Sequence, residues 1–389
     1  MGLKIQSVEA FPIKIPDHPY LGGHGADLSV GAYGDYIRHA HYRSIYTLNA
    51  ETMLVRITTD EGIVGWGETQ CALVPDIVAQ LVRQLVAPGL IGEDPFQRQA
   101  LRDRIYDHTR DRGHDAGFMV DAIHACDIAL WDLCGKAEGK PVHQLLGGAL
   151  RDKLPCYVSG VPARSIEEQI EKIHQWMSRG FHRFKISLGF GVHQDLDHVG
   201  RLRKELGGEI DIFIDAHWAY TVAQAIELGR GLESLDVGFL ECPVDPEDIE
   251  GQSKVAAAIG IPLALGEEYR THYHFRLRIL RKAVDLPQPD IGRLGITEGL
   301  RVIEACAAAE LPVAPHIGQG QAVYTSATLH LAAVAPTLRL VEYQPTQVAI
   351  ANDFYSPSLE PIAGEYQLSA APGLGVEPDL EKLAPYIVG

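Results

Sequence analysis

Short apolar runs recur through the second half of the chain, and each ends on a polar residue. IFID closes on Asp215, GFLE on Glu241, LALGE on Glu267, LPQPD on Asp290, PVAPH on His316 and LRLVE on Glu342. Successive closing residues are 26 apart, except Glu267 and Asp290, which are 23 apart. Such runs, with helix-like segments between them, read as buried parallel strands in repeated βα units. The full set is LPCYVSG (154–160), RFKISLG (183–189), DIFIDAH (211–217), VGFLECP (237–243), PLALGEE (262–268), VDLPQPD (284–290), LPVAPH (311–316) and LRLVEY (338–343). Eight strands in order are what a closed (β/α)8 barrel requires. Between them lie helical patterns such as residues 165–180, where Ser165 and Glu168 make a capping box, and residues 299–310.

The first third reads differently. Residues 3–15 alternate as a strand does. Residues 50–69 form a hairpin around Asp60, Glu61 and Gly62. Helical patterns follow at 75–92, 95–110 and 119–139, the last ending near Gly139. His124, inside that apolar helix, reads as a satisfied core residue. Between Pro16 and Arg43 the chain is rich in Gly and His, too long for a turn and too irregular for a helix; it reads as a lid. Three units are expected: an α+β capping domain over residues 1–135, a (β/α)8 barrel over 136–345, and a segment over 346–389 that returns to the capping domain.

A chain of 389 residues holds more than one such unit. Its formal charge of −17 argues against a nucleic-acid binder and means that bulk charge cannot attract an anionic substrate. Attraction must be local, and a bound divalent cation would supply it. The six cysteines form no CxxC pair and read as reduced, buried thiols. No amino-terminal apolar leader and no run long enough to span a membrane is apparent, so cytoplasm is the expected location.

The strand ends carry the chemistry. Active sites of such barrels lie at the carboxyl ends of the strands. Asp215, Glu241 and Glu267 on three successive strands would repel one another unless neutralised, and oxygen-only donors suit Mg²⁺ or Mn²⁺. Glu267 and Glu268 compete for the third position, since neighbours on a strand face opposite ways. Asp290 and His316 end adjacent strands, where the Asp can orient the imidazole as a base. Period two puts His217 on the face of Asp215 and Lys185 on that of Ser187. Glu342 closes the last strand, where it could donate to a developing oxyanion or order groups around it.

With the hairpin GWGET (65–69) and the stretch DIALWDLCGKAEGKPVHQLLGG (127–148), these strand ends resemble the enolase superfamily, in its mandelate racemase subgroup, over nearly the whole chain. The resemblance implies a capping domain over a (β/α)8 barrel and an essential Mg²⁺ on Asp215, Glu241 and Glu267. The family's Gly before the third ligand selects Glu267 through Gly266. Asp290 and His316 match its Asp–His dyad, and Glu342 its eighth-strand acid. On the second strand, Ser187 stands where racemases of the subgroup carry a second lysine, and Asp215-Ala216-His217 resembles acid-sugar dehydratases such as galactonate dehydratase. What this implies is dehydration of an aldonate or aldarate to a 2-keto-3-deoxy acid through an enediolate. His316 would remove the α-proton, His217 would protonate the departing 3-hydroxyl, and Lys185 would add positive charge. Epimerisation or lactone cycloisomerisation on the same chemistry is the alternative, and a non-catalytic, metal-stabilised binding protein the second. The lid and residues near Trp218, Tyr220 and Arg270 are expected to select the substrate; Arg38 or His24 in the lid could bind a distal carboxylate, although Arg and His on a loop are more often solvated. Family members are commonly homodimers or octamers.

Overall fold

The computed structural model describes residues 2–18, 32–38, 42, 44–71 and 73–389. Much of the expected lid, including His24, lies outside them.

Strand β1 (Ile5–Ile15) pairs antiparallel with β5 (Ala50–Thr59), which pairs with β6 (Val64–Thr69) as the expected hairpin. Between β1 and β5, β2 (Ala32–Tyr33), β3 (Tyr36–Arg38) and β4 (Ile45–Thr47) form a separate antiparallel sheet, an element that the composition of the segment hid. Arg38 is exposed on β3. Helix α1 (Pro75–Leu81) runs into a π turn at 82–86 and a 3₁₀ turn at 87–89, so the predicted helix over 75–92 loosens and breaks at Pro88. Helices α2 (Arg98–Arg110) and α3 (Phe118–Glu138) complete the unit, and Gly139 ends α3 in the left-handed conformation that favours glycine.

The motif GWGET is explained by packing. A Cβ on Gly65 would lie 2.2 Å from the Ala129 carbonyl oxygen, and one on Gly67 would lie 1.9 Å from that of Ala125. The two glycines let α3 lie flat on β6. Val142–Leu145 forms the short helix α4, the link to the barrel.

Strands β7 (Lys153–Ser159), β8 (Arg183–Ser187), β9 (Asp211–Asp215), β10 (Val237–Glu241), β11 (Leu263–Leu265), β12 (Leu286–Pro287) and β13 (Val341–Tyr343) form one sheet in the order β12-β11-β10-β9-β8-β7-β13. Every neighbouring pair is parallel. The seventh expected strand, 311–316, closes the barrel through isolated bridges, Val313 to Leu338 and Asp290 to His316. The reason is in the sequence: Pro312 and Pro315 lack N–H groups, as do Pro287 and Pro289 opposite. The remaining donors still close the ring, from Ala314 N to Pro287 O (3.0 Å) and from Arg339 N to Val313 O (2.8 Å).

Around the barrel run α5 (Ile166–Ser178), α6 (Val192–Leu206), α7 (Val222–Glu233), α8 (Ile249–Ala258), α9 (His272–Arg281), α10 (Ile291–Ala308) and α11 (Ala322–Val334). Ser165 caps α5 by accepting from Glu168 N, but Glu168 returns its bond to Arg164 N, so the expected box is only half made. Helix α10 begins with a short turn at Ile291 that Asp290 caps by accepting from Arg293 N; the backbone breaks at Gly295 (φ 65°, ψ 178°), and the helix expected over 299–310 runs from there to Ala308. The tail does two things. Ile387 bridges to Ile13 and Val388 N donates to Pro12 O in the capping unit, while residues 365–367 pair antiparallel with β7 at the foot of the barrel. All six cysteines are free and buried. No described helix is long and apolar enough to cross a membrane.

Charged groups, most of them buried, join the capping unit to the barrel. Glu68 accepts from Gln321 N and Tyr324 N at the start of α11, where the helix dipole favours an anion. Asp121 pairs with Arg270, and Asp127 with the Thr297 backbone N–H and hydroxyl. Asp103 pairs with Arg301, and Glu298 with Arg102 and Arg301. His124, buried as expected, links Arg102 to the Arg293 carbonyl. Burial alone would raise the Glu298 pKa, but Arg102 and hydrogen bonds from His272 outweigh it and hold it at about 2. A depressed carboxylate stabilises the fold fully above its unfolded pKa of about 4.5, and that stability is lost as pH falls toward 2. Glu298 should therefore contribute on the order of 3 kcal/mol at neutral pH. In thermal melts between pH 5 and pH 3, Glu298→Gln should start less stable and fall less steeply than the unmodified protein; parallel curves would contradict this.

Candidate active site

Inside the barrel, one apolar layer supports the site. Tyr157, Phe213, Phe239, Ala264, Leu286, Ala314 and Leu340 pack together, one from each strand except β8, with Phe213 stacked on Phe239 at 4.3 Å. Side chains two residues further along share that inward face. They are Ser159, Asp215, Glu241, Gly266, Gln288, His316 and Glu342. Burying a plug of aromatic and aliphatic side chains thus raises a ring of polar ones directly above it.

Strand β11 is the exception, and the structure explains it. From Ala264 the period points Gly266 and Glu268 inward. Gly266 has φ 143° and a Cβ there would lie 2.7 Å from Phe275 and 2.8 Å from Gln288 O. This kink reverses the alternation, so Glu267 lines the cavity. Glu268 is left in a buried environment where desolvation and Glu267 push its pKa up to about 7.

Lys185, buried on β8, donates to Glu241 Oε1 (2.7 Å) and approaches Glu342 Oε1 (3.0 Å). Gln288 Nε2 donates to the other Glu241 oxygen at 2.7 Å. His316 is held at both nitrogens, Nδ1 by Asp290 (2.7 Å) and Nε2 by Glu267 (3.0 Å). The Tyr324 hydroxyl donates to Asp290 Oδ2 at 3.0 Å. Glu342 accepts from Ile317 N (3.0 Å) and lies 3.3 Å from Gln344 Nε2. Burial opposes ionisation of Glu342, but Lys185 and His316 overcome it and hold its pKa low. In this arrangement it orders the groups around it, accepting from Ile317 N and holding Lys185. Burial also works against charge on His316, yet Glu342, Glu267 and Asp290 raise its pKa well above the ordinary value.

His217 reaches the cavity by a different route from the one its spacing suggested. Strand β9 ends at Asp215, and His217 has φ 43°, in a turn beyond the strand. Its backbone N–H donates to Asp215 Oδ1 at 3.0 Å. Its ring packs against Trp218 (4.3 Å) and Tyr42 (4.9 Å), and Nε2 meets the Tyr46 hydroxyl at 3.0 Å.

A cavity of about 280 Å³ lies over this ring, lined by Lys185, Ser187, Asp215, His217, Glu267 and His316 from the barrel and by Tyr42, Tyr46, Gln70 and Leu73 from the capping unit. Trp218 lines it as expected, whereas two other expected selectors serve the scaffold. Tyr220 bonds to Asp195 and Gly191 N, and Arg270 is spent on Asp121. Arg293 was missed in the sequence. It lies one helical turn past Asp290, lines the cavity and donates to Gln70 at 3.2 Å. A cation three residues after a strand-end acid was the available signal.

Five strand-end carboxylates, Asp215, Glu241, Glu267, Asp290 and Glu342, face two fixed cations, Lys185 and Arg293, with the His316 imidazole among them. Burial pushes the Glu241 pKa up to about 8, with Asp215, Glu342 and Glu267 adding to the effect and Lys185 opposing it. The excess of buried negative charge and the hard oxygen donors fit a divalent cation on Asp215, Glu241 and Glu267. As they stand, no three His, Cys, Asp or Glu side chains among the described residues converge to coordinate one. Glu241 is engaged by Lys185 and Gln288, and Glu267 by His316.

The comparisons agree with this geometry. Residues 168–383 match the model described as enolase C-terminal domain-like, and residues 37–147 match that of the mandelate racemase / muconate lactonizing enzyme N-terminal domain. The chain belongs to the enolase superfamily, in its mandelate racemase / muconate lactonizing enzyme family. It is 31% identical to D-galactarolactone cycloisomerase of Agrobacterium fabrum, over 86% of this chain and 90% of that one. It is 34% identical to D-galactonate dehydratase of Verminephrobacter eiseniae, over 71% and 74%. Among solved structures, an enolase superfamily member from Agrobacterium tumefaciens superposes with a TM-score of 0.93 at 36% identity, covering 99% of both chains. A mandelate racemase/muconate lactonizing protein from Paracoccus denitrificans, complexed with magnesium, superposes with a TM-score of 0.83 at 29% identity, covering 100% and 99%.

Lys185→Met should leave Glu241 and Glu342 buried without their shared cation. Removing one partner of a buried pair costs roughly 3–5 kcal/mol. In urea unfolding with EDTA present, the midpoint should fall accordingly; an unchanged midpoint would show that Lys185 is not what neutralises the ring.

Proposed function

We propose that the protein is a divalent-cation-dependent lyase that dehydrates an acid sugar to a 2-keto-3-deoxy acid. The observation that carries this reading is the placing of two imidazoles, His316 and His217, on one cavity, while Ser187 stands where a second lysine base would be needed. A serine hydroxyl cannot act as a base near neutral pH, so abstraction falls to one side only.

Asp215, Glu241 and Glu267 would hold the cation; a structural relative complexed with magnesium supports the choice of a divalent ion. Bound there, it would supply Lewis-acid stabilisation of the charge that develops on the substrate carboxylate. Lys185 and Arg293 present positive charge to the same region. His316, oriented by Asp290, removes the α-proton in its neutral form, after Nε2 has left Glu267 and lost its proton to solvent. The electron pair moves to expel the 3-hydroxyl, His217 gives that oxygen a proton, and water departs. The resulting enol tautomerises to the 2-keto acid. Glu342 keeps Lys185 in place and accepts from the Ile317 amide, which follows His316 directly.

The second reading is lactone cycloisomerisation, favoured by the D-galactarolactone cycloisomerase, a relative matched over 90% of its length. Both begin with the same abstraction by His316 and differ in what leaves or closes afterwards.

A screen of mono- and diacid sugars and their lactones with Mg²⁺, read by semicarbazide absorbance, separates the two. An acyclic acid that yields a keto acid supports dehydration, whereas turnover confined to lactones supports the second reading. Silence, with binding but no exchange, would leave a binding protein. On the acid that turns over, His316→Asn should abolish α-proton exchange in deuterated water, and normal exchange would remove it as the base. His217→Asn should suppress product by about 10²–10⁴-fold, the range of general acid catalysis, and exchange far less. Equal loss of both would make His217 structural.

A further inference from the structure

Tyr46 reaches the barrel's His217 from the capping unit, across 171 positions of sequence, and meets its Nε2 at 3.0 Å. The way Tyr46 is aimed can be followed residue by residue. On β4, Thr47 is buried and its hydroxyl donates to Glu51, itself fully buried at the start of β5. Tyr36 of β3, opposite Thr47, also donates to Glu51, and it accepts from Lys14 of β1 and from Val74 N. This polar node fixes β4 against the hairpin. Neighbouring strand residues point to opposite faces, so anchoring Thr47 on Glu51 turns Tyr46 to the barrel mouth.

The other side is equally constrained. His217 sits at φ 43° and Trp218 at φ 58°, with Trp218 N bonded to Cys242 O at 2.6 Å. A non-glycine residue in the left-handed region is uncommon, and two in succession on a cavity wall need support from their surroundings. Tyr42, Trp218 and Tyr46 pack around three sides of the imidazole.

We infer that Tyr46 is a positioning residue: its hydroxyl fixes the ring orientation of His217, so that the barrel's proton donor is aligned only when the β2–β4 sheet is docked. This rests on the reading of His217 as the leaving-group acid. It makes the capping unit a contributor to the alignment of the elimination acid, whereas the abstracting His316 is oriented by barrel residues, Asp290 and Glu267.

The test uses Tyr46→Phe, which keeps the ring and removes the hydroxyl. In protein with ¹⁵N-labelled histidine and no substrate, the His217 imidazole resonances, identified by their loss in His217→Asn, should shift in Tyr46→Phe, while those of His316 stay. On the acid sugar that the screen returns, product formation should fall by roughly 10–10²-fold, as for a misplaced catalytic group, with α-proton exchange reduced far less and KM little changed. Thr47→Val, which loosens the strand without touching the cavity, should give the same change in ratio, smaller in size. Unmoved His217 resonances, or exchange and product falling together in Tyr46→Phe, would overturn the inference. If His217→Asn itself leaves the exchange-to-product ratio unchanged, the acid role fails, and with it the catalytic part of the inference, whatever the resonances show.

Discussion

The site depends on one buried ammonium. Lys185 sits between Glu241 and Glu342, carboxylates from strands on either side of it in the barrel; both carboxylates are fully buried and Lys185 is nearly so, at the floor of the cavity. An uncompensated buried carboxylate is among the costliest features a fold can carry. With Lys185 in place the remaining excess is small enough for a divalent cation to balance, and the ring of acids becomes a binding site instead of a defect. The plug of Tyr157, Phe213 and Phe239 beneath it excludes water from below, so the field of each charge acts at close to full strength.

The capping unit is attached by the same kind of interaction. The residues that made two stretches of the chain distinctive prove to be those that join its parts. Gly65 and Gly67 let α3 approach β6, and Glu68 caps a barrel helix. Asp132, inside the second stretch, accepts from Trp66 N and Leu374 N, joining the hairpin to the tail. Closure over the cavity follows from this rigid attachment, and it allows β4 to present Tyr46 and Tyr42 to His217. The fold thus divides the work: the barrel carries the charges and the capping unit walls and orients them.

Much of the fold was legible in the chain because burial on both faces leaves an unbroken apolar run, and each such run ended at the site. The nearly constant interval between Asp215 and Glu342 reflects one βα unit after another. Where it slips to 23, the βα unit itself is shorter: the equivalent inward positions, Gly266 and Gln288, are 22 apart, and Glu267 and Asp290 lie one and two residues past them. The seventh strand was readable as apolar although its prolines leave it almost no ladder bonds. The small β2–β4 sheet was not readable, since strands of two or three residues leave no period to detect. The capping box at Ser165 was legible only in part, because local spacing names the partners but not which N–H the Glu168 carboxylate takes.

By itself the sequence determined the eight-fold succession of strands, the acids and histidines at their ends, and the absence of a second lysine at Ser187. Those follow from local pattern, since a residue's inward or outward face is set by its neighbours along the same strand. The tertiary structure alone decided which groups touch. It brought Gln70 and Arg293 together across the two units, withdrew Arg270 and Tyr220 into the scaffold, and turned His217 out of its strand onto the cavity to meet Tyr46. None of these contacts has a short-range signature. Each depends on how two separately folded surfaces meet, and sequence spacing carries no information about that distance.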